Sequence, residues 1–379
     1  MAEFYIKSDR IFLEKEIFSG YIKIKDKIIE KVGTEPSAGE EVLDYTGKIV
    51  APGFFDTHVH GYGGYDIMDC KKEALLKISE GIVKTGVTSF LATTLTDSAE
   101  RLDEACRIVG EHKEECRGAK VEGIFLEGPF FTEKYKGAQN PKYMGDPDIE
   151  KLRSWKRISG GLVKKIAIAP ERKGSIGFIR EALKEDIRVA LGHSQASYEE
   201  AKEAVDAGAS IFVHTYNGMS PLAGRAPGMV GAALATENTF AELICDGCHV
   251  HPACAKIVMR AKSRSNTVLI TDCMMAGGMP EGNYKLGEFD VIVDKTTARL
   301  ESGSLAGSIL RLCDAVKNVV EWGIAEAHDA VNMASIVPAR SLGMEERIGS
   351  IAPGKAADLN ILDGDLNLLE TYIDGERRF

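Results

Sequence analysis

The chain has 379 residues, 44% hydrophobic and 27% charged, with a net charge of −10; this is the balance of a globular protein long enough for a substantial core. Its acidic residues are spread along the chain, which argues against a nucleic-acid or anionic-membrane partner and means an anionic substrate would need a local cationic pocket. No apolar run approaches the roughly 18 residues of a membrane span, the first ten residues carry no secretory apolar stretch, and eight scattered cysteines read as free thiols in a reducing cytoplasm.

Residues 1–48 alternate in short apolar stretches (Ile6, Ile11-Phe12, Ile17-Phe18, Tyr21-Ile22, Ile28-Ile29, Val42-Leu43), broken by turns such as Lys25-Asp26-Lys27. The period of two predicts antiparallel strands. From Ile49 onward strand and helix patterns alternate, which implies a parallel sheet. Ile49–Phe55 is a strand, Lys71–Thr85 an amphipathic helix, Val87–Ala92 a strand, and Ser98–Cys116 a helix with Ser98 as N-cap. Val121–Leu126 is the third strand and Leu162–Ala169 the fourth, followed by a helix over Ser175–Glu185. Ile187–Gly192 is the fifth, with a helix over Ser197–Ala207 and Gly208 as its C-cap. Ala209–Val213 is the sixth, followed by a glycine- and proline-rich loop, Thr215–Gly228. Ala241–Cys245 is the seventh, with a helix over Pro252–Lys262, and Val268–Thr271 is the eighth. Residues 281–301 read as a β-excursion, and helices are expected over Gly307–Trp322 and Ala325–Ser335. Strands return at Ala357–Leu362 and Leu369–Ile373, with a turn at Asp374-Gly375. The expected architecture is α/β: a (β/α)8 TIM-like barrel over residues 52–345, and a small β-sandwich domain from residues 1–51 and 346–379.

Five of these strands stop at residues that bind metals or carry protons: Asp56-Thr57-His58-Val59-His60, Glu127, His193, His214 and Asp272. In a parallel barrel the side chains that do chemistry project from the strand C-termini. A strand and its crossover helix take roughly 30 residues. The gaps between the five positions then fit two units, two units, one short unit and two units, which assigns them to strands one, three, five, six and eight. Residues i and i+2 of a strand share a side, so His58 and His60 can reach one ion. A hydrogen-bonded pair of loop histidines is the plainer alternative. Glu127, His193 and His214 make a three-ligand site with an open position, as catalytic zinc sites have. Asp272 is either a loop cap or, facing that position, a general base and then acid.

Two segments need weighing. Cys245-Asp246-Gly247-Cys248-His249 has the form of a c-type haem attachment, or of a structural zinc site using Cys245, Cys248, His249 and Cys254. The barrel frame instead makes Asp246–His251 a loop at the active face. In Thr215–Gly228 the one cation is Arg225; it is either solvated or, with the N–H groups around Asn217-Gly218, an anion clamp.

Together these segments resemble the N-acetylglucosamine-6-phosphate deacetylases, a branch of the amidohydrolase superfamily. The resemblance rests on Pro52-Gly53-Phe54-Phe55-Asp56-Thr57-His58-Val59-His60-Gly61, Leu126-Glu127-Gly128-Pro129-Phe130, Gly192-His193-Ser194, His214-Thr215-Tyr216-Asn217, Asp246-Gly247-Cys248-His249, Thr271-Asp272 and Leu305-Ala306-Gly307-Ser308. Ile348–Asp358 is similar to the superfamily's closing segment. The resemblance implies hydrolysis of the acetamide of N-acetylglucosamine 6-phosphate to glucosamine 6-phosphate and acetate in the cytoplasm, by a homodimer. It implies one or two divalent ions per chain (zinc, iron, manganese or cobalt), with Glu127, His193 and His214 as main ligands and His58 and His60 serving a second ion. Asp272 is implied as the catalytic acid/base and His249 as the residue that orients the amide. Ala138, Gln139, Asn217, Gly218, Arg225, Leu305, Ala306 and Gly307 are implied as substrate contacts. The nearest rivals are dihydroorotase-like amidohydrolases, which place a carboxylated lysine at the end of strand four. Here that strand ends Ile168-Ala169-Pro170-Glu171. The galactosamine epimer is the rival substrate. A metal-free scaffold on this fold would be expected to have lost ligands, and all are present.

Overall fold

In a computed structural model describing residues 3–379, eight strands form one parallel sheet. They are Phe54–Val59, Val87–Thr94, Lys120–Phe130, Val163–Ile168, Arg188–Leu191, Ile211–Phe212, Phe240–Ile244 and Thr267–Ile270. Each pairs with its neighbour in sequence. The ring closes just beyond the last strand: Asp272 N–H donates to His58 O at 2.8 Å and His60 N–H to Cys273 O at 2.9 Å. These strands are apolar on both faces because helices cover the outside and side chains fill the inside.

A second, mixed sheet joins the two ends of the chain. Its N-terminal strands are Glu3–Phe12, Ile17–Lys25, Ile28–Val32, Val42–Asp44 and Ile49–Pro52; Leu359–Leu362, Leu368–Ile373 and Glu376–Arg377 come from the C-terminus. Ile49–Pro52 runs parallel to Glu3–Phe12 on one side and antiparallel to Leu359–Leu362 on the other. The sheet has its own apolar core, with Ile6, Ile11, Ile22, Ile24, Leu359 and Ile361. Residues 281–301 form three short antiparallel strands, Gly282–Leu286, Phe289–Val293 and Ala298–Leu300.

The structure corrects the sequence reading in four places. The single run Ile49–Phe55 is two strands in two different sheets, divided at Gly53. Gly53 N–H bonds Asp358 O while Phe54 N–H bonds Gly86 O, and a Cβ on Gly53 would lie 2.3 Å from Thr88 Oγ1. The helix expected from Gly307 begins only at Leu312. Gly307 has φ +63°, and Ser308 pairs with the chain beyond strand eight through Ser308 N–H to Asp272 O and Met274 N–H to Ser308 O. The helix expected over Ala325–Ser335 is Ala327–Met333, followed by a separate Ile336–Ser341. Helices Ile149–Ile158 and Gly228–Ala235 were not expected at all.

Candidate metal centre and substrate pocket

Glu127, near the end of the third strand, is the hub. Its Oε1 lies 3.3 Å from His58 Nε2, 3.2 Å from His193 Nε2 and 3.0 Å from His214 Nε2. Its Oε2 lies 3.3 Å from His60 Nε2 and accepts from the Gln139 amide. Asp272 Oδ1 is 3.1 Å from His60 Nε2 and 3.3 Å from His58 Nε2. Two overlapping groups of potential ligands result, His58/His60/Asp272 and His58/Glu127/His214, all buried. His193 sits beside the second, with Nε2 3.2 Å from His214 Nε2. Backbone turns aim these side chains inward. His193, His214 and Asp272 adopt φ values of +44°, +30° and +51°, a region that non-glycine residues adopt uncommonly and that His and Asp tolerate better than most.

The donor set fits a divalent ion. His193 Nδ1 is 3.0 Å from Tyr135 O, and His214 Nδ1 is 3.1 Å from Asn217 O. These carbonyls take the Nδ1–H of each ring and leave the Nε2 lone pairs facing Glu127 and one another. Electron pairs so opposed need a cation between them. The titration tendencies agree. Burial opposes charge on every group, yet the charge of His58 foremost holds Glu127 well below the usual carboxylate range. Burial likewise raises Asp272, but His58 and His60 outweigh it and hold it down. His58 is pushed up to about 9 and His60 well above its ordinary value, against burial, by Asp272 and Glu127. His214 is moved down, chiefly by burial. The protons gathered on the His58/His60 side stand where a metal would supply positive charge.

Above this cluster is a cavity of about 230 Å³, lined by His60, Glu127, His193, His214 and Asp272 at its floor. Ala138, Gln139, Asn217, Gly218, His249, Leu305 and Gly307 form its walls, and Ala306 is buried between two of them. Gln139 is doubly committed, since its Oε1 accepts Thr96 N–H at 2.8 Å while its amide holds Glu127. Asn217 Nδ2 is buried without a hydrogen-bond partner, a donor left for a ligand. His249 Nδ1 is fixed by Asp246 Oδ2 at 2.7 Å, and Asp246 Oδ1 accepts His249 N–H and Cys248 N–H at 2.8 Å each. Arg225 is the exception among the expected contacts. It is exposed on its loop and does not line the cavity, because the loop carries it outward past Pro221 and Leu222.

Sequence reading missed the support beneath the cluster. Lys165 in strand four and Glu242 in strand seven are completely buried and paired, Nζ to Oε1, at 2.5 Å. Neither stands at a strand end. Asp246 was visible only as part of a motif; its Asp-x-x-His spacing was the available signal.

Comparisons with known proteins agree with this geometry. The amidohydrolase family profile matches residues 49–378. An N-acetylglucosamine-6-phosphate deacetylase from Vibrio furnissii is 41% identical over 86% of this chain and 82% of its own. An N-acetylgalactosamine-6-phosphate deacetylase from Escherichia coli O157:H7 is 38% identical over 94% and 93%. Among solved structures, an N-acetyl-D-glucosamine-6-phosphate deacetylase mutant from Mycobacterium smegmatis, in complex with N-acetyl-D-glucosamine-6-phosphate, superposes with a TM-score of 0.94 at 28% identity, covering 100% of both chains. The Thermotoga maritima enzyme gives 0.90 at 32% identity, covering 99% of each. No helix among the described residues is long and apolar enough to cross a membrane. The chain is a metal-dependent amide hydrolase that belongs to the amidohydrolase family, within its branch of acetamido-sugar-phosphate deacetylases.

Proposed function

We propose that the chain hydrolyses the acetamide of N-acetyl-D-glucosamine 6-phosphate to D-glucosamine 6-phosphate and acetate, in the cytoplasm. The observation that carries this reading is the convergence of His60, His193, His214, Glu127 and Asp272 on the floor of one cavity that His249 also faces, with His58 packed against Glu127 and Asp272. Glu127, His193 and His214 hold the main ion and His58 and His60 serve a second; such donors accept zinc, iron, manganese or cobalt. A bound divalent ion supplies Lewis acidity, enough to bring a water's pKa down to roughly 7. Asp272 takes a proton from the attacking water on its carboxylate and returns it to the leaving nitrogen as the C–N bond breaks. His249, pinned through Nδ1 by Asp246, presents Nε2 to the amide carbonyl. The sugar rests against Ala138 and the Leu305-Ala306-Gly307 segment, with Asn217 and Gly218 donating to its polar groups.

The phosphate needs a cation, and the cavity lining contains no lysine or arginine among the described residues. The net charge of −10 makes a dianion unwelcome without one. Arg225 therefore acts across the interface of a homodimer, entering its neighbour's pocket on a loop whose Leu222 is 53% exposed in the single chain.

The test is acetate release from N-acetylglucosamine 6-phosphate, its galactosamine epimer and unphosphorylated N-acetylglucosamine, with and without chelator. Chelator-sensitive release, fastest on the glucosamine phosphate, is expected. Preference for the epimer would replace the substrate, and no release from any of the three would overturn the reading.

A further inference from the structure

Below the metal ligands the barrel holds an ion pair that the proposed chemistry does not use. Lys165 and Glu242 are both wholly inaccessible. Buried pairs are costly to desolvate, and apolar replacements of similar volume are often as stable or more so. Their presence here therefore asks for a role beyond stability. Glu242 Oε1 is fully engaged, accepting from Lys165 Nζ at 2.5 Å and from Thr57 Oγ1–H at 3.0 Å. Lys165 also donates to Thr57 O at 3.2 Å and lies 3.8 Å over the Phe125 ring. Glu242 Oε2 has no hydrogen-bond partner and faces His58 Nδ1 at 3.5 Å. On the other side of the same ring, His58 Nε2 faces Glu127 and Asp272 at 3.3 Å each. Phe125 packs on that ring edge-to-face at 4.8 Å and 89°.

We infer that Lys165 and Glu242 are positioning residues for His58. Glu242 Oε2 holds the Nδ1–H and so turns the Nε2 lone pair toward the ion. Lys165 and Thr57 claim Oε1 and prevent the carboxylate from turning away. Of the four histidine ligands proposed, His193 and His214 are oriented by backbone carbonyls. His58 is the one oriented by a carboxylate, and an ionised acceptor makes the ring a better donor to metal. The inference rests on the metal-centre reading given above.

Reversing the hydrogen-bonding sense at Glu242 tests it. In Glu242→Gln with Lys165 retained, the ammonium claims the amide oxygen, so the amide NH₂ faces His58 Nδ1, donor against donor. Zinc taken up by demetallated protein, measured by competition with a chromophoric chelator, should bind its His58-dependent site about 10- to 100-fold more weakly. In the double variant Lys165→Met/Glu242→Gln the amide is free to flip and offer its oxygen. Affinity should then recover to within about threefold of wild type. In zinc-loaded protein, ¹⁵N-imidazole NMR should show His58 bound through Nε2 with its proton on Nδ1 in wild type and in the double variant, but not in Glu242→Gln. Equal zinc affinity in all three proteins, or a double variant weaker than the single, would mean the pair only fills the core and would overturn the inference. Should Glu242→Gln fail to fold, the wild-type NMR decides alone: His58 bound to zinc through Nδ1, with its proton on Nε2, would overturn it. Wild-type protein that takes up no zinc would overturn the metal reading first, and this inference with it.

Discussion

Asp272→Asn separates proton transfer from metal holding. The substitution is gentle on the backbone. Asp272 has φ +51°, a conformation asparagine tolerates better than almost any other residue besides glycine. Its main-chain bonds, N–H to His58 O at 2.8 Å and C=O from Ser308 N–H at 2.7 Å, are unchanged by the swap. What is lost is an ionised oxygen 3.1 Å from His60 Nε2, placed at the cavity floor. A positioned acid/base contributes about 10²- to 10⁴-fold, so kcat should fall by that factor, or about 3–5 kcal/mol of barrier. Glu127, His193 and His214 do not depend on Asp272 for their mutual geometry, and the main ion should stay. The assay is steady-state acetate release together with metal counting on the same sample. A kcat within about twofold of wild type would refute the proton-transfer role. Activity that falls only in step with loss of the main ion, and returns with excess metal, would make Asp272 a ligand instead.

Metal analysis of protein grown in excess zinc or manganese should exceed one ion per chain, and the double change of His58 and His60 to Asn should bring it toward one while sparing some activity; loss of all metal would place both histidines in the main site. Arg225→Ala should lower kcat/KM on the 6-phosphate by about ten- to a hundredfold, the value of a charge-assisted contact of roughly 1.5–3 kcal/mol, and leave unphosphorylated N-acetylglucosamine unaffected. Equal losses on both would make Arg225 a loop support. Finally, burial pushes the thiols of Cys70 and Cys116 up to about 11, Cys313 up to about 12, and Cys106, Cys245 and Cys273 higher still. Unfolded thiols ionise near pH 8.5 while the folded ones keep their protons, so the unfolded state binds fewer protons above that pH and stability falls as pH rises. Urea midpoints should drop from about pH 8.5 upward, less steeply in Cys106→Ala/Cys245→Ala; an identical slope in that variant would remove these thiols from the explanation.

The ligands were legible because a barrel displays chemistry at strand ends, and apolar runs make strand ends visible. His58 and His60 share a side as their i, i+2 spacing requires, with ring centroids 5.3 Å apart. Other features obey rules a linear reading does not contain. Lys165 and Glu242 sit inside apolar strands, where a charged residue looks like a solvent-facing position; only barrel closure brings strands four and seven together. The run through Gly53 carries no polar break, so two sheets read as one strand. Gly228–Ala235, Gly-Met-Val-Gly-Ala-Ala-Leu-Ala, is almost uniformly apolar and glycine-containing, and shows no helical periodicity to detect. Arg225 was assigned by motif, but motif position does not tell whether a loop turns its residue into the cavity or, as here, outside it.

The strand Ile49–Pro52 lies between a partner that precedes the barrel in the chain and one that follows it, and the next strand leads into His58 and His60. While the ribosome is still working through the barrel, one edge of Ile49–Pro52 has no neighbour, and its N–H and C=O groups can pair with any strand they meet. The nascent enzyme thus carries an adhesive edge, a few residues before its first metal ligands, until Leu359–Leu362 has emerged. Arrival of Leu359–Leu362, rather than completion of the barrel, is the moment at which this edge ceases to invite pairing with other chains.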